Sequence, residues 1–263
     1  MLGAIIGDVI GSVYEFDSDK TKDFQLFVPS CRATDDSVLT ICVGCACAEA
    51  DCNNEYEFKK TLIEKMHEIA RRYPDAGYGK LFYIWLIDDN GKPYGAKTNG
   101  SAMRVSPCAW AVDTLEEVER LAKWSAEITH SHPEGIKGAK AIAAATFLAR
   151  KGKNKDEIKA YIEERYYDLD FTIDAIRPGY SHDMSCEGSV PQAIVCFLEA
   201  DNYEDTIRNA VSLGGDGDTL CAMAGAIAEA YFGIPQELEE EVFNYIDEDL
   251  SEYYFEYSQY LYK

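Results

Sequence analysis

Basic residues are scarce in this chain: 25 Lys and Arg stand against 47 Asp and Glu, giving a formal net charge of −22. A surface of that sign repels DNA, RNA and anionic lipid, so broad binding to a polyanion is excluded as its main role. Long apolar runs are missing too, since no stretch approaches the ~18 consecutive apolar residues that a membrane helix needs. The apolar start from Met1 to Gly7 is interrupted by Asp8, with no basic residue before it and no small-residue cleavage site after it, which argues against a secretory leader. Histidines number only four, and the lone Cys-x-x-Cys, Cys42 and Cys45, has no second pair, so repeated Cys/His zinc sites lack their ligands. Nine cysteines, an odd number, fit buried apolar thiols in a reducing compartment better than a disulfide framework. No sequence repeat and no hairpin signal stands out. A soluble cytoplasmic protein is the expectation, with a monomer as the simplest state.

Helical periodicity dominates what is present. Gly3, Gly7 and Gly11 recur every four residues, which on a helix makes one smooth face that a second helix can approach closely. From Phe16 to Ala33 the chain reads as an irregular loop. Further helices are predicted over 35–50, 55–73, 75–88, 101–112, 114–127, 134–151, 154–165, 186–199, 203–212, 218–232 and 236–262. Breakers separate them: Pro74, Asn90 to Pro93, Asn99-Gly100, His132-Pro133, Lys151-Gly152, Pro178-Gly179 and Gly233 to Pro235. The last segment is acidic, but Val242, Phe243, Ile246 and Leu250 fall at helical intervals, so it is expected to pack as one acidic-faced helix. The expectation is a compact, mostly α fold forming a single domain over residues 1–263.

Two acidic clusters carry the chemistry. Thr34-Asp35-Asp36-Ser37 and Gly214-Gly215-Asp216-Gly217-Asp218-Thr219 each open an apolar helix. Either alone reads as a helix cap that complements the dipole. Together they offer four carboxylates and two hydroxyls, a hard oxygen set suited to Mg²⁺ or Mn²⁺ and sufficient for two ions. Asp216-Gly217-Asp218-Thr219 also fits the D-x-D-x-T nucleophile of haloacid-dehalogenase-type phosphatases. That motif ends the first strand of an α/β sheet, whereas here a short helical remainder follows.

The clusters do not stand alone. In order along the chain come Gly3 to Phe16, Thr34 to Ser37, Asn99 to Pro107, Thr129-His130, Ser189 to Ala193 and Gly214 to Thr219, and this succession resembles the ADP-ribosylglycohydrolase family over nearly the whole chain. The resemblance implies an all-α bundle with a dinuclear Mg²⁺ or Mn²⁺ centre that cleaves the N- or O-glycosidic bond between ADP-ribose and an acceptor. It implies Thr34, Asp35, Asp36, Asp216, Asp218 and Thr219 as metal ligands. It further implies Glu15, Asp36 and Asp218 as catalytic groups, with Glu15 over the distal ribose, gating access or assisting proton transfer. Which of Asp36 and Asp218 acts as base stays open.

Around the substrate, Asn99, Gly100, Ser101, Ala102 and Met103 are expected to begin a helix whose free N–H groups cradle a diphosphate. His130 is expected on the substrate side and not as a metal ligand, and neither His67 nor His182 completes a metal pattern with it. His132, just before Pro133, is read as the start of a helix. Tyr180 is a candidate for stacking on adenine, and Gly215 for close approach to the substrate. Arg104 is expected to pair with an internal carboxylate rather than with phosphate. In one respect the sequence departs from the family pattern: a hydroxyl-bearing residue is usual between the two aspartates, and here it is Gly217. Besides hydrolysis of an ADP-ribosylated protein or small-molecule conjugate, a binding module that holds ADP-ribose without cleaving it and a Mg²⁺-dependent phosphatase remain as alternatives. The net charge argues against a nucleic-acid acceptor.

Overall fold

The computed structural model describes residues 1–15, 20–89 and 91–262. Phe16 and the rest of the stretch 16–19, Asn90 and Lys263 lie outside the described residues, and with them parts of the expected loop, one breaker and the last position of the tail. The described residues form α1 (Leu2–Gly11), α2 (Asp35–Glu49), α3 (Glu55–Ile69), α4 (Lys80–Ile87), α5 (Gly100–Met103), α6 (Cys108–Ala111), α7 (Leu115–Glu127) and α8 (Pro133–Arg150). They continue with α9 (Lys155–Arg165), α10 (Ile173–Ile176), α11 (Cys186–Leu198), α12 (Tyr203–Leu213), α13 (Gly217–Phe232), α14 (Gln236–Glu241) and α15 (Glu248–Leu261). The fold is all-α. Among the described residues the only extended pairing is one isolated antiparallel bridge, Thr98 to Ser185, and no helix is long and apolar enough to cross a membrane.

Helix starts follow local chemistry. Asn54, Thr114, Asn154, Asn202 and Asp247 each accept a backbone N–H of the turn they open, and Thr114 and Asn154 complete capping boxes with Glu117 and Glu157. A cap of this kind stabilises a helix by about 1 kcal/mol. His132 caps α8 by accepting the N–H of Glu134, with Pro133 at the first helical position, as its place before proline suggests.

Four segments differ from the periodicity reading. The expected 101–112 helix is two short helices, because Pro107 disfavours helical backbone at Ser106 and cannot donate. The 75–88 helix begins only at Lys80, since Gly77 takes a left-handed φ of +113°. The tail breaks between Val242 and Asp247, where Asp247 caps a new helix. One turn, α10, carried too little periodicity to be read.

The centre of the fold is the contact of α1 with α13, both buried along most of their length. A Cβ on Gly11 would fall 2.6 Å from the Cα of Asp218, and Cβ atoms on Gly3 and Gly7 would run into the carbonyls of Gly225 and Cys221. Gly225 answers from the other side, where a Cβ would strike the Gly3 carbonyl. The glycine face therefore lets two backbones touch, and this contact fixes Asp8 and Asp218 beside each other. Alanine-rich α8, with Ala141 to Ala145 buried, packs on the same core. The cysteines in α2 behave as apolar residues: Cys42 and Cys45 are fully buried, and burial pushes the Cys42 thiol up to about 12.

Candidate active site

Both acidic clusters sit at helix amino ends. Thr34 is the N-cap of α2, with Asp35 and Asp36 in its first turn; Asp216 is the N-cap of α13, with Asp218 in its first turn. The α13 start is approached through Gly214 and Gly215, both at left-handed φ (+75° and +86°), conformations that favour glycine. The two helix starts open into one cavity of about 310 Å³. Thr34, Asp35, Asp36, Asp216, Asp218 and Thr219 all line it, as do Glu15, Asn99, Gly100, Met103 and His130.

The carboxylates are crowded. Oxygens of Asp8, Asp36 and Asp218 lie within 4.8 Å of one another, and all three residues are buried. Burial, then the charges of Asp218 and Asp8, push Asp36 well above the carboxylate range. Asp218 is pushed up by burial and then by Asp216 and Asp8. Asp35 rises to about 8, from burial and then Asp8. One oxygen of Asp36, Oδ1, is buried without a hydrogen-bond partner, while Oδ2 accepts the Thr219 hydroxyl at 3.2 Å. A buried, unpartnered carboxylate oxygen among like charges is what a hard cation relieves, so the donor set fits divalent metal ions.

Asp8 was legible only as an interruption of an apolar run, yet it is the base of the first cluster. It accepts the Thr34 N–H at 2.8 Å, the Thr34 hydroxyl at 2.6 Å, the Ser37 N–H at 3.0 Å and the Ser37 hydroxyl. A charged side chain facing the core of an otherwise apolar helix was the available signal.

A second group comprises Glu15, His182 and Asp216, whose potential ligand atoms also lie within 4.8 Å of one another. Neither His130 nor His132 belongs to this group; the partners of His182 are 167 and 34 positions away, which no spacing rule detects. Glu15 is half-buried, and burial followed by the Asp216 charge raises its carboxyl above the usual value. Asn99 turns its amide to Asp216, donating to Oδ2 at 2.6 Å.

Other expected site residues are placed elsewhere. Ser101 is fully buried and donates to the Gly135 carbonyl at 2.7 Å, and Ala102 belongs to the core. The Tyr180 hydroxyl donates to the Gly188 carbonyl at 2.7 Å, and a Cβ on Gly215 would meet the Tyr180 ring at 2.8 Å, so these two pack on each other outside the cavity lining. Tyr94 and Phe82 are aromatic residues that do line the cavity. Arg104 pairs with no carboxylate among the described residues; it donates to the Ser125 carbonyl at 2.8 Å and the Thr129 hydroxyl at 2.9 Å. Gly217 lies under the lip of the site, where a Cβ would be 3.2 Å from the Tyr14 carbonyl, so glycine lets the chain before Glu15 settle onto α13.

Known proteins place this geometry. The profile of the ADP-ribosylglycohydrolase family matches residues 1–259. Over 314 aligned residues the chain is 27% identical to ADP-ribosylhydrolase ARH3 of Bos taurus, covering 90% of this chain and 84% of that protein. It is 24% identical over 277 residues to ADP-ribosylarginine hydrolase Tri1 of Pseudomonas putida (strain GB-1), covering 92% and 72%. A solved chain described as an ADP-ribosylglycohydrolase-related protein complex shares the fold, with a TM-score of 0.68 at 20% identity over 99% of this chain and 94% of that one. The chain belongs to the ADP-ribosylglycohydrolase family and is, by that membership, an ADP-ribosyl hydrolase.

Proposed function

We propose that this chain cleaves the N- or O-glycosidic bond joining ADP-ribose to a protein side chain or small-molecule acceptor, with two divalent cations, Mg²⁺ or Mn²⁺, held by Thr34, Asp35, Asp36, Asp216, Asp218 and Thr219. The observation that carries this reading is the convergence of carboxylates from α1, α2 and α13 within 4.8 Å of one another, with those of α2 and α13 lining one cavity. Bound there, the ions would offset the carboxylate charge and act as Lewis acids toward ribose and water.

The protein groups have distinct tasks. Asp8 holds the Thr34 hydroxyl by accepting its proton, which turns that oxygen's lone pairs away from Asp8. Asn99 fixes Asp216 by donating its amide N–H to Oδ2. Glu15, at the rim, has a raised carboxyl pKa and so binds a proton more readily than an exposed glutamate, which suits gating or proton transfer at the distal ribose. Asp36 and Asp218 are the remaining proton acceptors. The same reading treats residues 1–263 as one domain, because one site needs both α1 and α13.

A release assay tests the proposal. Protein stripped with EDTA and reloaded with Mg²⁺ or Mn²⁺ is incubated with arginine-linked, serine-linked and nucleic-acid-linked ADP-ribose. Metal-dependent appearance of free ADP-ribose from at least one conjugate is the expected result. Binding of ADP-ribose without release from any of them would replace hydrolysis with a binding module.

A further inference from the structure

Arg104 brings a charge into the core without a carboxylate to meet it among the described residues. It caps the end of α5, is fully buried, and lines the cavity together with Tyr94 and His130. Its Nη2 donates to the Ser125 carbonyl and the Thr129 hydroxyl, while Nε and Nη1 are buried with no hydrogen-bond partner. Burial pulls the guanidinium down to about 10, which leaves it charged at neutral pH.

The acidic groups beside it are neutral. Tyr94 and Cys42 stand close enough to favour the guanidinium, but burial pushes the Tyr94 phenol and the Cys42 thiol each up to about 12. A bound water satisfies a free N–H group but does not cancel a charge. That charge is felt at the cavity wall. After burial, it is Arg104 that holds His130 below the ordinary histidine value, and Arg104 also opposes the rise at Tyr94. The other Lys and Arg side chains lining the cavity, Arg32 and Lys80, are exposed, so water and salt screen them.

We propose that Arg104 is the electrostatic anchor for the diphosphate of the ligand: its buried, uncompensated charge acts past Tyr94 and His130 on the two phosphates and draws them to that wall of the cavity. This inference rests on the reading that the cavity takes ADP-ribose, whose diphosphate is its anionic part. Arg104 touches neither the ligand nor the reacting atoms, so it is a positioning residue. With the diphosphate drawn to this wall, the distal ribose is left for the carboxylates of α2 and α13.

The surroundings suit that role. Charges interact far more strongly through a protein interior than through water, so contact is not required. The bonds from Nη2 to Ser125 in α7 and to Thr129 hold the guanidinium in place. On the proposed reading, two divalent cations balance Asp35, Asp36, Asp216 and Asp218, so these carboxylates do not cancel the pull of Arg104.

Calorimetry with Mg²⁺ present tests the anchor. Arg104→Met is expected to bind ADP-ribose about tenfold more weakly, and to bind adenosine, which lacks the diphosphate, as the wild type does. The double variant Arg32→Gln, Lys80→Gln is expected to stay within about threefold of wild type toward ADP-ribose, because exposed charges contribute little. Equal losses toward ADP-ribose and adenosine in Arg104→Met reduce the residue to a structural part and overturn the proposal. So does Arg104→Met binding ADP-ribose as tightly as wild type, or the larger loss falling on the exposed pair. Nitrogen-15 NMR of the wild-type protein needs no core substitution: the Arg104 Nε resonance is expected to shift on adding ADP-ribose and to stay in place with adenosine, and no shift with ADP-ribose overturns the anchor. A wild-type protein that binds no ADP-ribose overturns the ligand reading, and the anchor falls with it.

Discussion

Asp8 accepts both the backbone N–H and the hydroxyl of Thr34, at 2.8 and 2.6 Å, so the first helix holds the first turn of the second. Ser37 adds its N–H and hydroxyl to the same carboxylate. Asp8→Ala strands these four buried donors, and the expected cost is about 3 kcal/mol, the scale of a lost charge-assisted hydrogen-bond set. Urea unfolding in Mg²⁺ measures it. An unchanged midpoint would show that Asp8 does not organise α2.

Asp36→Ala and Asp218→Ala should each lower ADP-ribose release by about 1,000-fold or more, because each removes charge stabilisation at the reacting end of the site. Mn²⁺ affinity, followed by electron paramagnetic resonance, should fall with it. In EDTA both variants should melt at or above the wild-type temperature, since each deletion removes one buried like charge. Retained turnover would remove these residues from the metal set.

The raised carboxyl values fix the sign of a pH effect on the metal-free protein. Burial lifts Asp8, and burial with like-charge repulsion lifts Asp35, Asp36 and Asp218 in the folded state, so between the unfolded value of about 4 and the Asp35 value of about 8 the folded chain binds more protons than the unfolded one. Stability in EDTA is therefore greatest at the acid end of that window and falls as pH rises through it. Melting curves at pH 5 and pH 8 check the slope; it should shrink in Asp36→Ala, and Mg²⁺ should flatten or reverse it by competing with the protons.

Two glycines separate packing from backbone conformation. At Gly7 a Cβ would meet the Cys221 carbonyl, which is backbone and cannot swing away, so Gly7→Ala is expected to destabilise by about 3 kcal/mol. Gly152 has open space around it and a φ of +74°, so Gly152→Ala should lose only about 1 kcal/mol, from strain. Comparable thermal shifts for the two would contradict the close α1–α13 contact.

The parts of this protein that were legible in sequence are those encoded by neighbours. Thr34-Asp35-Asp36 and Asp216-Gly217-Asp218-Thr219 are contiguous, and a cap followed by an apolar helix is a local signal, so both clusters and most helices could be read directly. Asp8 was missed because its role depends on where α1 crosses α2. His182 was missed because its group joins three distant segments. Arg104 was misread because its partners are a carbonyl and a threonine hydroxyl, and backbone carbonyls leave no mark in composition. The breaks at Pro107 and Asp247 show local capping and proline chemistry overriding an apolar period.

The glycine contact between α1 and α13 also sets an order of events. Asp218 is separated from Asp8 and Asp36 by most of the chain's length, so their meeting is among the most non-local contacts the fold makes. During synthesis the first cluster emerges long before the second, and no full carboxylate set exists until α13 has been made and has closed on α1. On the proposed metal reading, tight cation capture would therefore coincide with the closing of α13 on α1, and a nascent chain would hold no finished centre that could trap a stray ion.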